Sequence, residues 1–256
     1  MSPRYRALFD LTGKVAIVTG ASKGIGEAIA RGMAEFGARV IVSSRKREAV
    51  DAVAAAFRAE GLEATAVAAH AGDSAALRRL VEETIRIYGR LDIVVNNAAT
   101  NPVYGPLLAA DDSAFNKILA VNLKGPLELA RAAHPHLRQQ SGSILNVSSI
   151  GAIRPEPGLG LYSVSKAALV SLTKAMAQEW GGDGIRVNAV CPGLVQTKFS
   201  AALWQDEQTL QRFLGHVPLG RIGQPEDIVG LAIYLAGDAG RYCTGAVFTV
   251  DGGYTI

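Results

Sequence analysis

The chain of 256 residues is 49% apolar and 19% charged, with 28 glycines, a balance well clear of disordered and collagen-like sequences. Its formal charge of +3 is mild and unclustered, which argues against a nucleic-acid partner, and its two cysteines and four histidines form neither a disulfide framework nor a metal-ligand pattern. No apolar stretch has the length of a membrane span, so one globular domain over residues 1–256 with a large core is expected.

After an N-terminal tail (1–10), Lys14–Thr19 reads as a short buried strand. It runs into the glycine-rich turn Gly20–Gly26 and then a helix with Ala28, Ile29, Met33 and Phe36 on its apolar face, closed near Gly37. Arg39–Ser43 is the second strand, 47–60 a helix, and Ala64–Ala69 the third strand. Leu77, Leu80, Val81, Thr84 and Ile85 give a helical face that Gly89 ends, and Leu91–Val95 is the fourth strand. A long helix is expected over 112–139, with bends or boundaries at Pro126 and Pro135. Ser143–Ser148, Ile185–Val190 and Ala246–Val250 complete the strands, with helices over Tyr162–Trp180 and Pro225–Ala236. This alternation predicts an α/β fold: a single Rossmann-type, doubly wound parallel sheet of about seven strands with helices on both faces.

Ligands in such sheets bind at the carboxyl ends of the strands. The Thr19–Gly26 turn, Asn96–Asn97 and Ser148–Ser149 all fall there, and Tyr162 opens the next helix. In the turn, glycines allow a tight bend, close backbone approach to a pyrophosphate and tight helix packing, with the anion on the free N–H groups of the helix start. Tyr162 and Lys166 are four residues apart and share a helical face. A free phenol titrates near pH 10. An ammonium about 4 Å away is worth roughly 4 kcal/mol at an effective dielectric of 20, enough to lower that value markedly. A phenol so tuned can pass a proton to or from a carbonyl or alcohol oxygen, with a serine of the Asn146-Val147-Ser148-Ser149 run nearby.

Thr19-Gly20-x-x-x-Gly24-x-Gly26, Asn96-Asn97-Ala98-Ala99, Asn122, Ser149, Tyr162-x-x-x-Lys166 and Cys191-Pro192-Gly193, in this order, resemble the short-chain dehydrogenase/reductase family over about 11–253. The resemblance implies hydride transfer between a nicotinamide and a carbonyl or carbinol carbon. It makes Tyr162 the general acid/base, and Lys166 the group that lowers its pKa and holds the nicotinamide ribose. Ser149, thirteen residues before the tyrosine, becomes the partner of the substrate oxygen, with Ser148 its rival. Asn122 would hold a water that links Lys166 to solvent. For the cofactor, the resemblance implies contacts from Gly20, Ser22, Lys23, Gly24, Ile25 and Gly26, from Ser44 and Arg45, from Ala71 and Asn97, and from Pro192, Gly193, Val195 and Thr197 besides Tyr162 and Lys166.

The end of the second strand, Val42-Ser43-Ser44-Arg45-Lys46, carries no acid. A carboxylate there would bond the adenosine ribose and repel a 2′-phosphate, whereas a guanidinium grips one with paired hydrogen bonds. NADP(H) is therefore expected over NAD(H), with Lys23 a second cation. Two positions depart from the family pattern: His70 stands where an Asp that contacts adenine is usual, and Ala99 replaces a glycine. Within the family, Val42–Lys46, Asn101–Gly105 and Pro192–Ser200 resemble NADPH-dependent carbonyl reductases that also act on retinal.

Phe199, Leu203, Trp204, Leu210, Phe213 and Leu214 suggest that 194–216 forms a lid of short helices, over walls from Ile153, Pro155, Pro157, Leu159 and Tyr104. An apolar carbonyl or alcohol is the expected substrate. By resemblance the assembly is a homotetramer, with Leu127, Leu129, Leu169 and Leu172 candidates for its interfaces. With no signal-peptide core, peroxisomal tail or disulfide framework, a cytoplasmic location is expected. Two alternatives are a 3-oxoacyl-[acyl-carrier-protein] reductase, with Arg154, Lys198 and Arg221 as a docking patch, and a non-catalytic cofactor sensor of the same fold.

Overall fold

The structure, a computed structural model, describes residues 3–256. Seven parallel strands form one sheet in the order β3-β2-β1-β4-β5-β6-β7. They are β1 Val15–Thr19, β2 Arg39–Ser43, β3 Ala64–Ala66, β4 Ile93–Asn96, β5 Ser143–Val147, β6 Arg186–Pro192 and β7 Val247–Val250. The helices are α1 Pro3–Arg6, α2 Gly24–Glu35, α3 Arg47–Ala59, α4 Ser74–Tyr88, α5 Asp112–Leu119, α6 Gly125–Gln140, α7 Gly160–Trp180, α8 Ala201–Trp204, α9 Glu207–Leu214 and α10 Glu226–Ala236.

Every residue of β1 is buried, as expected for a strand covered on both faces. Its side chains alternate between two cores. Ala16 and Val18 pack with Ile29 and Met33 of α2, Phe57 of α3 and Ile228 of α10, while Val15 and Ile17 pack with Leu77 of α4, Leu129 of α6 and Met176 of α7. Strand order reverses between β1 and β4, and that switch point opens a crevice at the carboxyl ends of the strands. Leu129 and Leu169 are 0% and 1% exposed. They belong to the core of one chain, which removes them as interface candidates.

The expected long helix is interrupted beside Pro126, whereas Pro135 ends nothing. A π turn, Ala120–Lys124, separates α5 from α6. Pro126 falls in the first turn of α6, where a missing N–H costs nothing, and Pro135 lies inside that helix. β3 is shorter than its apolar run, although Val67 and Ala69 still donate to the carbonyls of Val42 and Ser44. In the N-terminal tail, α1 is followed by a 3₁₀ turn, Ala7–Phe9, with the Phe9 ring 6.5 Å from Tyr234.

Candidate active site

Thr19, the last residue of β1, ties the glycine turn to the end of β4. Its hydroxyl donates to the Val95 carbonyl and accepts from the N–H groups of Asn97 and Ala98, all at 3.1 Å. The Asn97 amide donates back to the carbonyls of Thr19 at 2.9 Å and Gly20 at 3.3 Å. Gly20 and Gly24 take φ of 65° and 63°, a region costly for any residue with a Cβ. A Cβ on Gly26 would lie 2.3 Å from Asn97 Nδ2 and 2.6 Å from the Gly20 oxygen. Gly26→Ala is therefore expected to displace this turn and weaken dinucleotide binding by at least about tenfold, read as Kd by fluorescence titration. Unchanged affinity would remove the turn from the cofactor site.

The turn has room and donors for an anion. Lys23 precedes α2 in extended conformation, and no side chain caps the helix, so its first N–H groups are left for a ligand. Ser22 and Ile25 are half-buried, with Ile25 packed on the core. From the other side comes the chain that follows β6: a Cβ on Gly24 would meet Thr197 Cγ2 at 3.2 Å. Pro192 ends β6, Gly193 sits so close to Asp251 that a Cβ would lie 2.9 Å from its Cα, and buried Val195 bridges to Gly223. Ala71 packs against the start of α6, at Gly125. Ser44 is half-buried, while Arg45 and Lys23 are exposed. Among the described residues neither cation has an ion pair, whereas Arg47 is paired with Asp51 at 2.9 Å. These residues fit a dinucleotide, and the two cations are exposed at the same end of the crevice. His70 is exposed and bonds its own loop: Nδ1 accepts the Gly72 N–H at 3.0 Å.

Tyr162 lies in the first turn of α7, with Lys166 one turn on, 2% exposed. Lys166 Nζ donates to the Val147 carbonyl at 2.8 Å and stands 5.6 Å from the centre of the Tyr162 ring. The two serines divide their tasks. Ser148 donates its hydroxyl to the Lys166 carbonyl at 2.9 Å, while the Ser149 hydroxyl accepts the Gly151 N–H at 3.1 Å and lies close enough to the Tyr162 phenol to pull its pKa down. Asn122, in the π turn, is fully buried. Its Oδ1 accepts the Thr100 N–H at 2.8 Å, and its Nδ2 donates to the Thr100 carbonyl and the Ser165 hydroxyl, both at 3.0 Å. Ser165 in turn donates to the Tyr162 carbonyl at 2.7 Å. The Asn122 side chain thus positions the π turn against Thr100 and Ser165. Ser165 and Thr100 escaped the sequence reading, although Ser165 stands between the tyrosine and the lysine.

Electrostatics corrects one expectation. The lowered phenol pKa inferred from the lysine at i+4 is absent: burial pushes Tyr162 up to about 12, against the pull of Ser149, and buried Cys191 adds to the rise. Burial brings Lys166 down to about 8. Both shifts have the same leading cause, since burial favours whichever form is neutral.

The segment 194–216 passes over Tyr162 at Phe199. Phe199 sets its ring 6.0 Å from that of Tyr162, tilted by 45°. Trp204 Nε1 donates to the Thr197 carbonyl at 3.0 Å, and the Ser200 hydroxyl donates to the Val195 carbonyl. Tyr104 packs on Gly158, beside an open trough of about 560 Å³ lined by Leu107, Glu156, Pro157 and Gly160. Of the three basic residues near the mouth, Arg221 is held by Asp227 at 2.7 and 2.9 Å, Arg154 lies over the Tyr254 ring, and Lys198 is exposed.

A doubly wound sheet, a glycine turn on an uncapped helix and a Ser–Tyr–Lys set at the same edge define an oxidoreductase dependent on a nicotinamide dinucleotide. The family model described as enoyl-(acyl carrier protein) reductase matches residues 20–255. The rabbit (Oryctolagus cuniculus) dehydrogenase/reductase SDR family member 4 is 42% identical over 244 residues, 95% of this chain and 94% of the relative. Among solved structures, a gluconate 5-dehydrogenase from Burkholderia cenocepacia in complex with NADP and tartrate superposes with a TM-score of 0.94 at 33% identity, over 98% of each chain. A 3-oxoacyl (acyl-carrier-protein) reductase from Agrobacterium tumefaciens with NADP bound gives 0.91 at 33% identity, over 99% of each. The chain belongs to the short-chain dehydrogenase/reductase family.

Proposed function

We propose that this protein is an NADP(H)-dependent carbonyl reductase or alcohol dehydrogenase acting on a largely apolar substrate. The observation that carries the reading is the Tyr162 phenol against Ser149, with Lys166 one turn along α7, at the ligand-binding edge of the sheet. The cofactor, when bound, supplies or accepts the hydride. Ser149 holds the substrate oxygen against the phenol, and Tyr162 donates its proton there in reduction and takes one back in oxidation. Lys166 keeps a positive charge beside the developing phenolate, and Asn122 fixes the catalytic turn through Ser165. Asn122 would also hold a water that links Lys166 to solvent. Phe199, Trp204, Ile153 and Tyr104 furnish apolar area for an aryl or alkyl ketone. The test follows loss of reduced-nicotinamide absorbance, with NADPH and NADH in parallel, against aromatic diketones, retinal, small ketones and an acetoacetyl thioester. Turnover of the free carbonyls with NADPH supports the reading, and turnover of the thioester alone replaces it.

NADP(H) over NAD(H) is supported by unpaired Arg45 and Lys23, by the absence of an acid after β2, and by the NADP in the two superposed relatives. Arg45→Ala is expected to raise the NADPH Kd by about tenfold or more while NADH changes by less than about twofold, the signature of a lost phosphate contact. Equal loss for both cofactors would refute a 2′-phosphate role.

The 3-oxoacyl-[acyl-carrier-protein] reductase reading has one observation in its favour, the likeness to the Agrobacterium tumefaciens reductase. It is the weaker of the two, because Arg221 and Arg154 are already engaged within the chain. A non-catalytic sensor would have no need of the complete Asn122, Ser149, Tyr162 and Lys166 set. We take the assembly to be a homotetramer in the cytoplasm. Exposed Phe115 on α5 and Val164 on α7 suit such contacts, and light scattering reads the mass.

A further inference from the structure

The residues after β7 join the lid to the catalytic loop. Asp251 turns the chain, accepting from the N–H groups of Gly253 and Thr255 at 3.0 Å and from the Thr255 hydroxyl at 2.7 Å. Gly252 and Gly253 have φ of 65° and 91°. A Cβ on either would come within 2.8 Å of Val217 or Pro218, just past the lid. The Leu219 N–H donates to the Gly252 carbonyl at 3.1 Å. The turn sends the Tyr254 side chain inward, 5% exposed.

Tyr254 meets two segments that are far apart in sequence. Phe213 of α9 stacks on it, with ring centres 4.4 Å apart and planes 9° apart, and His216 lies edge-on at 6.2 Å. The Arg154 guanidinium stands 5.1 Å from the ring centre, and the Tyr254 hydroxyl donates to the Glu156 carboxylate. Arg154 and Glu156 lie on the loop between Ser149 and Tyr162. Ile150, next to Ser149, shares a buried cluster with Val217 and Tyr254. Burial and the carboxylate keep the phenol protonated, pushed up to about 12, so it remains a donor throughout the neutral range.

We propose that Tyr254 is a positioning residue that fixes the gap between α9 and the Arg154–Glu156 loop, and so sets how a substrate fits over Tyr162. The kinetic consequence rests on the carbonyl-reductase reading above, whereas the effect on the lid does not. Tyr254→Phe keeps the stack and removes the bond to Glu156, and Tyr254→Ala removes both. In Tyr254→Ala, amide exchange across 207–214 is expected to rise by about tenfold or more over wild type, as for a segment whose local opening has become easier. KM for the carbonyl substrate should rise by about tenfold, with kcat within about threefold and the NADPH Kd within about twofold. Tyr254→Phe and Glu156→Gln should each raise KM less, and their double variant should be no worse than the larger single effect.

Unchanged exchange across 207–214 in Tyr254→Ala would overturn the proposal, as would additive effects of Tyr254→Phe and Glu156→Gln. Should Tyr254→Ala exchange faster along its whole length, the Tyr254→Phe and Glu156→Gln cycle decides by the same criterion, with exchange across 207–214 as its readout. Wild-type protein inert towards carbonyls would count against the proposed function alone, because the exchange experiment needs no turnover.

Discussion

Tyr162→Phe is expected to lower kcat for carbonyl reduction by about 10²–10⁴-fold, the range that a positioned proton donor contributes. The ring stays, so its contact with Phe199 at 6.0 Å and the NADPH Kd should change little. The pH dependence gives the sharper test. In the cofactor-free protein burial holds the phenol at about 12, so the donor form is intact across the neutral range and reduction should show no loss from this group between pH 6 and 9. Oxidation needs the phenolate, a trace species there, and its rate should climb by about tenfold per pH unit while that trace limits it. A phenolate absorbance titration, wild type minus Tyr162→Phe, should stay flat below pH 10 without cofactor. The distance between that titration and the kinetic pKa for oxidation would measure how far bound cofactor lowers the phenol. Ionisation of Tyr162 near pH 7 without cofactor would overturn this account, and near-normal turnover of Tyr162→Phe would remove the phenol from the chemistry altogether.

What the sequence could and could not say about this site follows from the range of the forces involved. β1, its glycine turn and α2 were legible because local pattern dictates them: an unbroken apolar run, residues free to take positive φ, then an apolar face at helical spacing. The i, i+4 spacing likewise placed Lys166 beside Tyr162. It said nothing of how far the pair would be buried, and burial is the largest cause of both pKa shifts. The π turn was illegible for a related reason. Pro126 is the visible break, yet the helix widens at Asn122, whose partners Thr100 and Ser165 stand 22 and 43 residues away. The two adjacent serines are indistinguishable by residue type and are separated only by spacing from Tyr162; the end of β5 turns Ser148 to the Lys166 carbonyl and leaves Ser149 near the phenol. Tyr254 reaches Glu156 across 98 residues, which no local pattern records.

Lys166→Met is expected to make the protein more stable and nearly inactive. Burial lowers the Lys166 ammonium from 10.5 to about 8, so the folded pKa lies below the unfolded one. Between those values the unfolded chain holds a proton that the folded chain has lost, and stability rises with pH through that window. Below about pH 8 both states are charged, and the fold carries the full cost of a dry ammonium, roughly 3 kcal/mol from the two pKa values. Methionine removes that cost in a similar volume, while the Val147 carbonyl loses its donor, an offset of about 1–3 kcal/mol. A net gain of about 1 kcal/mol at pH 7 would raise Tm by about 2–4 °C in a chain of this size. The advantage should shrink as pH rises towards 10.5, because the wild type then sheds the same charge. A lower Tm for Lys166→Met at pH 7 would mean that the ammonium is a net support of the fold. A higher Tm with kcat reduced by about 10² or more would identify it as a charge kept for catalysis against the preference of the core.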